Sequence, residues 1–282
     1  MSWWTRLALK NKRKKFRLEH VRHLHSGCLS RPVDFDVYLP PLAMKGGEFP
    51  LLLVNDGQDL PRMDIGRLLD TWYEHPANPP FILVGVYAGL DRIREYGVAA
   101  QADYLGRGDL AGNYTRFVLE ELLPYLRENY PVSCNPTQCW VAGFSLGALS
   151  ALDLVWAQSK FFGGAGVFSG ALWWRSKVFS ALEPDGNRIV HDQIQKEKGI
   201  RTNFPKCWFF AGTQEETDDR NQNGVIDVID DTLDCMKTLQ EIGCPKDDLR
   251  YVQLEGGTHD PESWGKGMLD FWEFMLKEQN VR

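Results

Sequence analysis

The chain has 282 residues, of which 43% are apolar and 25% are charged, and its formal net charge is −6. These values are typical of a soluble globular protein with enough chain to bury a sizeable core. The negative charge gives no indication of a nucleic-acid partner. The one basic run, residues 10–17, is interpreted as a solvated segment near the N-terminus.

Membrane insertion and export are both disfavoured by the order of residues. No apolar stretch approaches the roughly 20 residues that span a bilayer. The short N-terminal apolar patch precedes its charges, whereas a secretory signal has the reverse order. None of the six cysteines forms a C-x-x-C pair. We therefore predict reduced thiols, a cytoplasmic location and no membrane partner.

In chain order, residues 32–39 alternate apolar and polar side chains, which predicts a half-buried strand at an antiparallel edge. Continuous apolar runs typical of strands buried on both faces follow at residues 50–55, 81–87, 138–142, 206–211 and 249–254. Helical patterns lie between or after them, at residues 110–129, 146–158, 227–242 and 264–277. Pro124 implies a kink or break in the first of these helices.

Alternating buried strands and helices predict an α/β protein with a mostly parallel central sheet and helices on both faces. We predict a single domain over residues 30–282, preceded by an N-terminal extension or edge segment at residues 1–29. In such sheets functional sites gather beyond the carboxyl ends of the strands. The residues that follow each predicted strand are therefore the candidates for chemistry.

The strand at 138–142 leads into Gly143-Phe144-Ser145-Leu146-Gly147, a G-x-S-x-G sequence followed by a helix. In this turn the glycines allow close backbone approach, and the serine hydroxyl is raised above the sheet as a nucleophile. The alternative is a glycine-rich turn in which the serine only caps the helix. The strand, turn and helix around Ser145 favour the nucleophile.

The order nucleophile, acid, histidine identifies partners for Ser145. His259 follows the last predicted strand, in a segment with two glycines, and is the candidate general base. The strand at 206–211 is followed by several carboxylates, of which Glu215 is the preferred acid, while Glu216 and Asp218 stay open. The backbone N–H groups of Gln58 and Leu146 are the expected oxyanion-hole donors, by analogy with the fold.

Several segments together resemble one esterase family, which includes esterase D, enterobactin esterases, feruloyl esterases and mycolyltransferases. The segments are DGQ at 56–58, EELLPYLRENYPV at 120–132, GFSLGALSAL at 143–152, FSGALWW at 168–174 and GGTHDPESW at 256–264. The resemblance covers residues 30–278 and is strongest to the enterobactin-esterase-like branch, where a tryptophan pair follows Ser-Gly. It implies an α/β-hydrolase fold and a Ser145–Glu215–His259 triad. Ala148 departs from the second glycine of many members.

Substrate contacts are predicted in the segment 89–107 and at the tryptophan pair. Arg94 and Trp173 are the preferred candidates, with Arg92 and Tyr96 beside them. Loop arginines could hold a carboxylate or a catecholate, although solvated arginines and simple aromatic packing are equally compatible with the sequence.

Residues 219–230 match the pattern of a calcium-binding loop. Oxygen-bearing side chains alternate, a glycine occupies the sixth place and an apolar residue the eighth. The predicted ligands are Asp219, Asn221, Asn223, the Val225 carbonyl, Asp227 and Asp230. Aspartate at the twelfth place is shorter than the usual glutamate. The alternative is an Asx-rich turn that caps the following helix.

The sequence thus predicts a serine hydrolase that cleaves small carboxylic esters, with no cofactor needed for catalysis and a possible structural calcium ion. An acyltransferase on the same triad and a non-catalytic binding protein are the alternatives. The protein is expected to be a monomer or a homodimer.

Overall fold

The computed structural model describes residues 16–41 and 47–277. Most of the basic run at 10–17 lies outside the described residues. So do residues 1–15 of the predicted N-terminal segment and residues 42–46 and 278–282 of the predicted domain. None of the described helices combines the length and the apolar content needed to cross a bilayer.

The described residues form one 8-stranded sheet in the order β1-β2-β4-β3-β5-β6-β7-β8. Strands β3 to β8 are parallel, whereas β1 and β2 are antiparallel additions at one edge. The bounds are β1 Arg17–Ser26, β2 Arg31–Leu39, β3 Leu51–Asn55, β4 Ile82–Val86, β5 Cys139–Phe144, β6 Gly164–Phe168, β7 Lys206–Gly212 and β8 Leu249–Leu254.

Helices follow most of the parallel strands. They are α1 Ile65–Trp72, α2 Arg92–Glu95, α3 Ala111–Arg116, α4 Leu123–Asn129, α5 Leu146–Ala157, α6 Ile189–Lys196, α7 Asp227–Glu241 and α8 Pro261–Leu276. A 3₁₀ helix, Gly57–Met63, follows β3 directly. The α/β architecture with a mostly parallel sheet confirms the predicted α/β-hydrolase fold.

Two apolar layers enclose the sheet. On one face α1 and α8 pack an aromatic-rich layer, in which the rings of Trp72 and Trp272 lie 5.9 Å apart. On the other face α3 to α7 contribute mainly aliphatic side chains. Each fully buried large apolar side chain contributes about 1.5–3 kcal/mol. The sheet is therefore rigid enough to fix the loops at its carboxyl edge.

The position predicted for the strand at 32–39 was wrong, because β1 pairs with β2 and is itself the edge. Strand β6 was also not predicted, since its glycines and alanine lack the expected large apolar pattern. The reason is packing: a Cβ on Gly164 would lie 2.5 Å from the Trp140 ring, and one on Gly166 would lie 2.6 Å from Phe271.

The helix predicted over 110–129 is interrupted by a π-helical segment. Between α3 and α4 the residues Phe117–Leu122 form a π-helical segment, and Pro124 lies in the first turn of α4. Because the helical backbone is continuous through Leu122, Pro124 leaves a carbonyl of the preceding turn without its N–H donor, and the wider π-helical turn accommodates the proline without a break.

Candidate active site

Ser145 occupies a strained turn between β5 and α5. Its backbone angles are φ 54° and ψ −120°, in a region that residues other than glycine rarely adopt. A Cβ on Gly143 would lie 2.3 Å from the carbonyl oxygen of Gly147, so glycine is required there. Neighbouring strands hold the turn, since the Ser145 N–H donates to Phe168 O at 3.0 Å. The geometry is that of a nucleophile elbow.

His259 and Glu215 form a hydrogen-bonded pair at the same edge of the sheet. His259 Nδ1 lies 2.7 Å from Glu215 Oε2. The carboxylate side chain is only 1% exposed, whereas the imidazole is 39% exposed. With Nδ1–H donating to the carboxylate, Nε2 is left to exchange protons with a reacting group.

The two other candidate acids have different surroundings. Glu216 Oε1 accepts a hydrogen bond from the Val228 N–H at 2.6 Å, at the start of α7. Burial raises the pKa of Glu216, and the neighbouring Asp227 and Asp218 add to the rise. Asp218 is exposed. Of the three, Glu215 is therefore the carboxylate that contacts the histidine.

No hydrogen bond joins the Ser145 hydroxyl to His259 within the part of the chain that the structure describes. In ligand-free enzymes the contact between nucleophile and base is often long and shortens when substrate binds. Ser145, Glu215 and His259 nevertheless lie on segments that follow β5, β7 and β8, at one edge of the sheet.

Two residues absent from the sequence-based site, Ser169 and Trp264, contact the acid and each other. Ser169 Oγ donates to Glu215 Oε1 at 2.6 Å, and Trp264 Nε1 donates to Ser169 Oγ at 2.9 Å. Ser169 directly follows β6, so the rule of inspecting strand ends would have found it if β6 had been predicted. Trp264 lies in the segment GGTHDPESW, but nothing in that pattern indicates a partner.

The expected oxyanion donors lie at the starts of two helices. Gln58 is in the first turn of the 3₁₀ helix after β3, and Leu146 begins α5. Neither backbone N–H has a hydrogen-bond partner among the described residues, as expected for first-turn donors. The Gln58 side chain is fixed, because its Oε1 accepts from the Ala88 N–H at 3.0 Å.

A buried network beneath the elbow joins it to β3. Asn55 Nδ2 donates to the Gly147 carbonyl at 2.8 Å, and Tyr114 Oη donates to Asn55 Oδ1 at 2.5 Å. Asp56 forms a two-pronged ion pair with Arg92, and Tyr96 is fully buried beside it. Both of these predicted substrate-side residues, Arg92 and Tyr96, are thus engaged in internal contacts.

The preferred substrate candidates differ in their surroundings. Arg94 pairs with exposed Asp109 through Nη2–Oδ2 at 2.6 Å. Trp173 is 40% exposed and lines an open cleft of about 490 Å³ together with Phe179, Glu216 and Asp218, among others. Ser145, Glu215 and His259 are not among the residues that line this cleft, although Glu216, the neighbour of Glu215, is one of them.

In the loop at 219–230 the side chains of three of the six predicted calcium ligands contact one another, through amide N–H groups. The amides of Asn221 and Asn223 donate to Asp230 at 2.8 and 3.2 Å. Asp219 instead accepts from the N–H groups of Asn223 and Gly224, and Val225 donates its N–H to Asn223 Oδ1. Asp227 accepts from the Arg220 N–H. The guanidinium of Arg220 lies within 3.6 Å of Asp230 and 3.2 Å of Asp227.

Comparisons with known proteins agree with this geometry. The family model described as "Putative esterase" matches residues 26–272. An uncharacterized protein of Bacillus subtilis (strain 168), YbbA, is 28% identical over 173 residues, which is 58% of this chain and 68% of that protein.

Solved structures share the fold at low identity. Ferric enterobactin esterase of Salmonella typhimurium superposes with a TM-score of 0.73 at 18% identity, over 94% of this chain and 60% of that chain. An IroE-like serine hydrolase of Shewanella oneidensis gives 0.68 at 18% identity, over 93% and 81% of the two chains. S-formylglutathione hydrolase of Staphylococcus aureus gives 0.64 at 16% identity, over 93% and 97%.

The chain spans about 60% of the length of the enterobactin esterases that it resembles. The solved structures, at 16–18% identity, establish the fold alone. The family model establishes the family, because it matches residues 26–272, which is most of the chain. The chain therefore belongs to this esterase family.

Proposed function

We propose that the protein hydrolyses small carboxylic esters through an acyl-enzyme on Ser145. The Ser145 oxygen attacks the ester carbonyl while His259 Nε2 accepts the hydroxyl proton. The N–H groups of Gln58 and Leu146 stabilise the oxyanion. His259 returns the proton to the departing alcohol. It then takes a proton from the water that cleaves the acyl-enzyme and gives it to the Ser145 oxygen as the acid departs.

The observation that carries this proposal is the 2.7 Å contact between His259 Nδ1 and Glu215 Oε2. It is made at the edge of the sheet where Ser145 has a positive φ of 54°. A buried carboxylate fixes the imidazole tautomer and stabilises the imidazolium that forms during the reaction. His20 makes the same 2.7 Å contact with the buried Asp36, so what singles out His259 is its place at the sheet edge that carries Ser145.

The decisive experiment is labelling with a fluorophosphonate probe, which reacts with activated serines. We expect stoichiometric labelling of the wild type and none of Ser145→Ala. No labelling of the wild type, or labelling that survives Ser145→Ala, would defeat the proposal in favour of a non-catalytic protein.

The substrate is to be identified with a panel of p-nitrophenyl acyl esters, a feruloyl ester and a triscatecholate siderophore. These include the ester types named for structurally similar proteins. Adding an alcohol acceptor distinguishes hydrolysis from acyl transfer, because a transferase would form the new ester in preference to the free acid. Arg94→Ala and Trp173→Ala should raise KM if these side chains contact the substrate.

We also propose a structural calcium ion in the loop at 219–230. The alternating oxygen-bearing side chains of Asp219, Asn221 and Asn223, and the φ of 85° at Gly224 in the sixth place, support it. Oxygen ligands at alternate positions around a sharp turn are what calcium requires. A bound ion would fix the segment that follows Glu215.

Calorimetric titration with calcium, with magnesium as the control, tests this site. We expect heat of binding for the wild type, a lower melting temperature after chelation, and loss of both effects in Asp219→Ala. No heat with calcium and no shift on chelation would refute the ion.

A cytoplasmic location is our proposal for the compartment. All six cysteines are free in the structure, and four of them are buried. Thiols persist in reducing compartments and pair in oxidising ones. Fractionation of the native host should recover the protein with the cytoplasmic enzymes.

A further inference from the structure

Trp264 contacts His259 and the neighbour of Ser145 directly, and it reaches the third proposed triad residue, Glu215, through Ser169. It stacks on Phe144, the neighbour of Ser145, with ring centroids 5.0 Å apart and an interplanar angle of 21°. It meets the His259 imidazole edge to face at 5.2 Å. Its Nε1 donates to Ser169 Oγ at 2.9 Å, and Ser169 contacts Glu215.

The direction of these hydrogen bonds is fixed by chemistry. An indole N–H can only donate and a carboxylate can only accept, so the single hydroxyl proton of Ser169 must point to Glu215. Glu215 Oε1 accepts this proton at 2.6 Å and a second hydrogen bond, from the Gly212 N–H, at 2.5 Å. Oε1 is thereby occupied, and Oε2 is the oxygen left for His259.

The backbone of Ser169 adopts a conformation that residues with a side chain rarely adopt. Its φ is 49°, and its N–H donates to Phe210 O at 2.8 Å at the end of β7. The residue is 1% exposed, so its hydroxyl has no access to bulk water. Glycine would relieve the backbone strain, but it would leave Trp264 Nε1 without an acceptor and would remove one of the two hydrogen bonds that Glu215 Oε1 accepts.

We propose that Ser169 and Trp264 form a positioning relay for the triad. Ser169 fixes the rotamer of Glu215 so that Oε2 faces His259 Nδ1, and Trp264 orients the Ser169 hydroxyl while its ring packs against the imidazole. Both act through Glu215 and His259 and neither contacts the reacting atoms. The relay rests on the proposed function, because it deepens the assignment of the same site.

The kinetic test compares two indole N–H groups of α8. Trp264→Phe removes an N–H that has a partner, whereas Trp272→Phe removes one that has none among the described residues. With rates expressed per fluorophosphonate-titrated site, we expect Ser169→Ala to lower kcat about 10- to 100-fold. Trp264→Phe should lower it about 3- to 30-fold, while KM stays within about twofold in both. Trp272→Phe should keep wild-type kcat.

A double variant tests whether the two residues act in series. Because Trp264 Nε1 works through the Ser169 hydroxyl, Ser169→Ala combined with Trp264→Phe should lower kcat little more than Ser169→Ala alone. Multiplication of the two single effects would show independent roles and overturn the relay.

A second readout needs no substrate. The proton between His259 Nδ1 and Glu215 should give a downfield proton NMR signal in the wild type and in Trp272→Phe. We expect the signal to shift or broaden in Ser169→Ala, which leaves the Trp264 ring in place; Trp264→Phe also changes the ring current on the imidazole and is therefore judged by kcat alone. A merely structural role would lower the melting temperature but would leave the signal in the folded fraction unchanged.

The outcomes separate the two proposals. If Ser169→Ala keeps both wild-type kcat per site and the NMR signal, the relay is refuted while the esterase stands. If no form cleaves esters or labels, but the signal still responds to Ser169→Ala, the esterase is refuted while the relay stands. If Ser169→Ala does not fold, Trp264→Phe against Trp272→Phe decides, and equal behaviour of these two overturns the relay.

Discussion

Arg92 binds Asp56 through two parallel hydrogen bonds, from Nε to Oδ1 and from Nη2 to Oδ2, each 2.7 Å long. The Asp56 side chain is 3% exposed and lies between β3 and the 3₁₀ helix that carries Gln58. A Cβ on Gly147 would lie 2.6 Å from Asp56 Oδ2. One ion pair thus fixes the segment that carries Gln58 against both the elbow and the segment at 89–107.

Arg92→Lys should impair both activity and stability. Lysine keeps the charge but cannot make the planar two-pronged contact, so the buried Asp56 carboxylate loses part of its compensation. We expect the free energy of unfolding to fall by about 1–3 kcal/mol and kcat to fall about tenfold. Denaturant titration and ester hydrolysis measure the two effects.

Arg116→Lys is the matched control for Arg92→Lys. Arg116 makes the same kind of contact with Glu120, but both side chains are more than half exposed. Exposed ion pairs are screened by solvent and contribute little to stability, so little should change. Equally small effects of the two substitutions would show that the Asp56 pair has no special role.

Gly143→Ala should prevent formation of the elbow. Its Cβ would lie 2.3 Å from the Gly147 oxygen and 2.9 Å from the Ala148 nitrogen, and neither backbone atom can move without displacing Ser145. We expect a loss of several kcal/mol of stability, or a folded protein with almost no activity. Thermal melting and fluorophosphonate labelling report the two alternatives.

Gly112→Ala serves as the control for a harmless glycine substitution. Gly112 lies in α3, and a Cβ there meets only the Ala99 oxygen at 3.6 Å, an ordinary contact. Helix propensity should then stabilise the protein by up to about 1 kcal/mol. A destabilised Gly112→Ala would mean that clashes inferred from the backbone do not predict tolerance in this protein.

The elements most readily predicted from sequence were those whose burial leaves a pattern of large apolar residues. The elbow was predicted because β5 and α5 both have such patterns on either side of Ser145. β6 was missed because it packs closely against aromatic rings and three of its five residues are glycine or alanine. Ser169 follows β6 and was missed with it.

Among the neighbouring carboxylates the sequence favours Glu215 but does not exclude Glu216 or Asp218. Glu215 and Glu216 are adjacent and chemically alike. The difference lies in long-range partners: His259 is 44 residues from Glu215, whereas Glu216 accepts from the N–H of Val228, 12 residues away. No local spacing rule encodes these contacts, because they depend on how β7, β8 and α7 pack.

Asp153→Asn should make the protein more stable at alkaline pH. Asp153 is 2% exposed on α5, and its Oδ2 accepts from the Ala99 N–H at 2.8 Å. Burial raises the pKa of Asp153 to about 6, from a reference value of 3.8. Between these two pH values the folded state keeps a proton that the unfolded state has lost, so the wild type loses stability as pH rises.

The asparagine carbonyl can still accept from Ala99 but carries no charge at any pH. We therefore expect Asp153→Asn to exceed the wild type by about 1–3 kcal/mol at pH 8 and by much less at pH 4. Urea unfolding at pH 4, 6 and 8 measures the difference, with Asp247→Asn, at an exposed position, as the control. A difference that does not depend on pH would contradict the role of charge burial.

Ser145→Gly should produce an inactive protein that is more stable than the wild type. The φ of 54° and ψ of −120° at Ser145 cost a residue with a side chain about 1–3 kcal/mol, whereas glycine adopts them without strain. Glycine loses about 0.5–1 kcal/mol through the greater entropy of its unfolded chain, which leaves a net gain of about 1 kcal/mol.

Ser145→Ala removes the same hydroxyl but keeps the Cβ, so it should be equally inactive with stability near that of the wild type. Denaturant unfolding of the three proteins separates the two effects. A Ser145→Gly protein no more stable than Ser145→Ala would show that the elbow stores no strain that glycine can release.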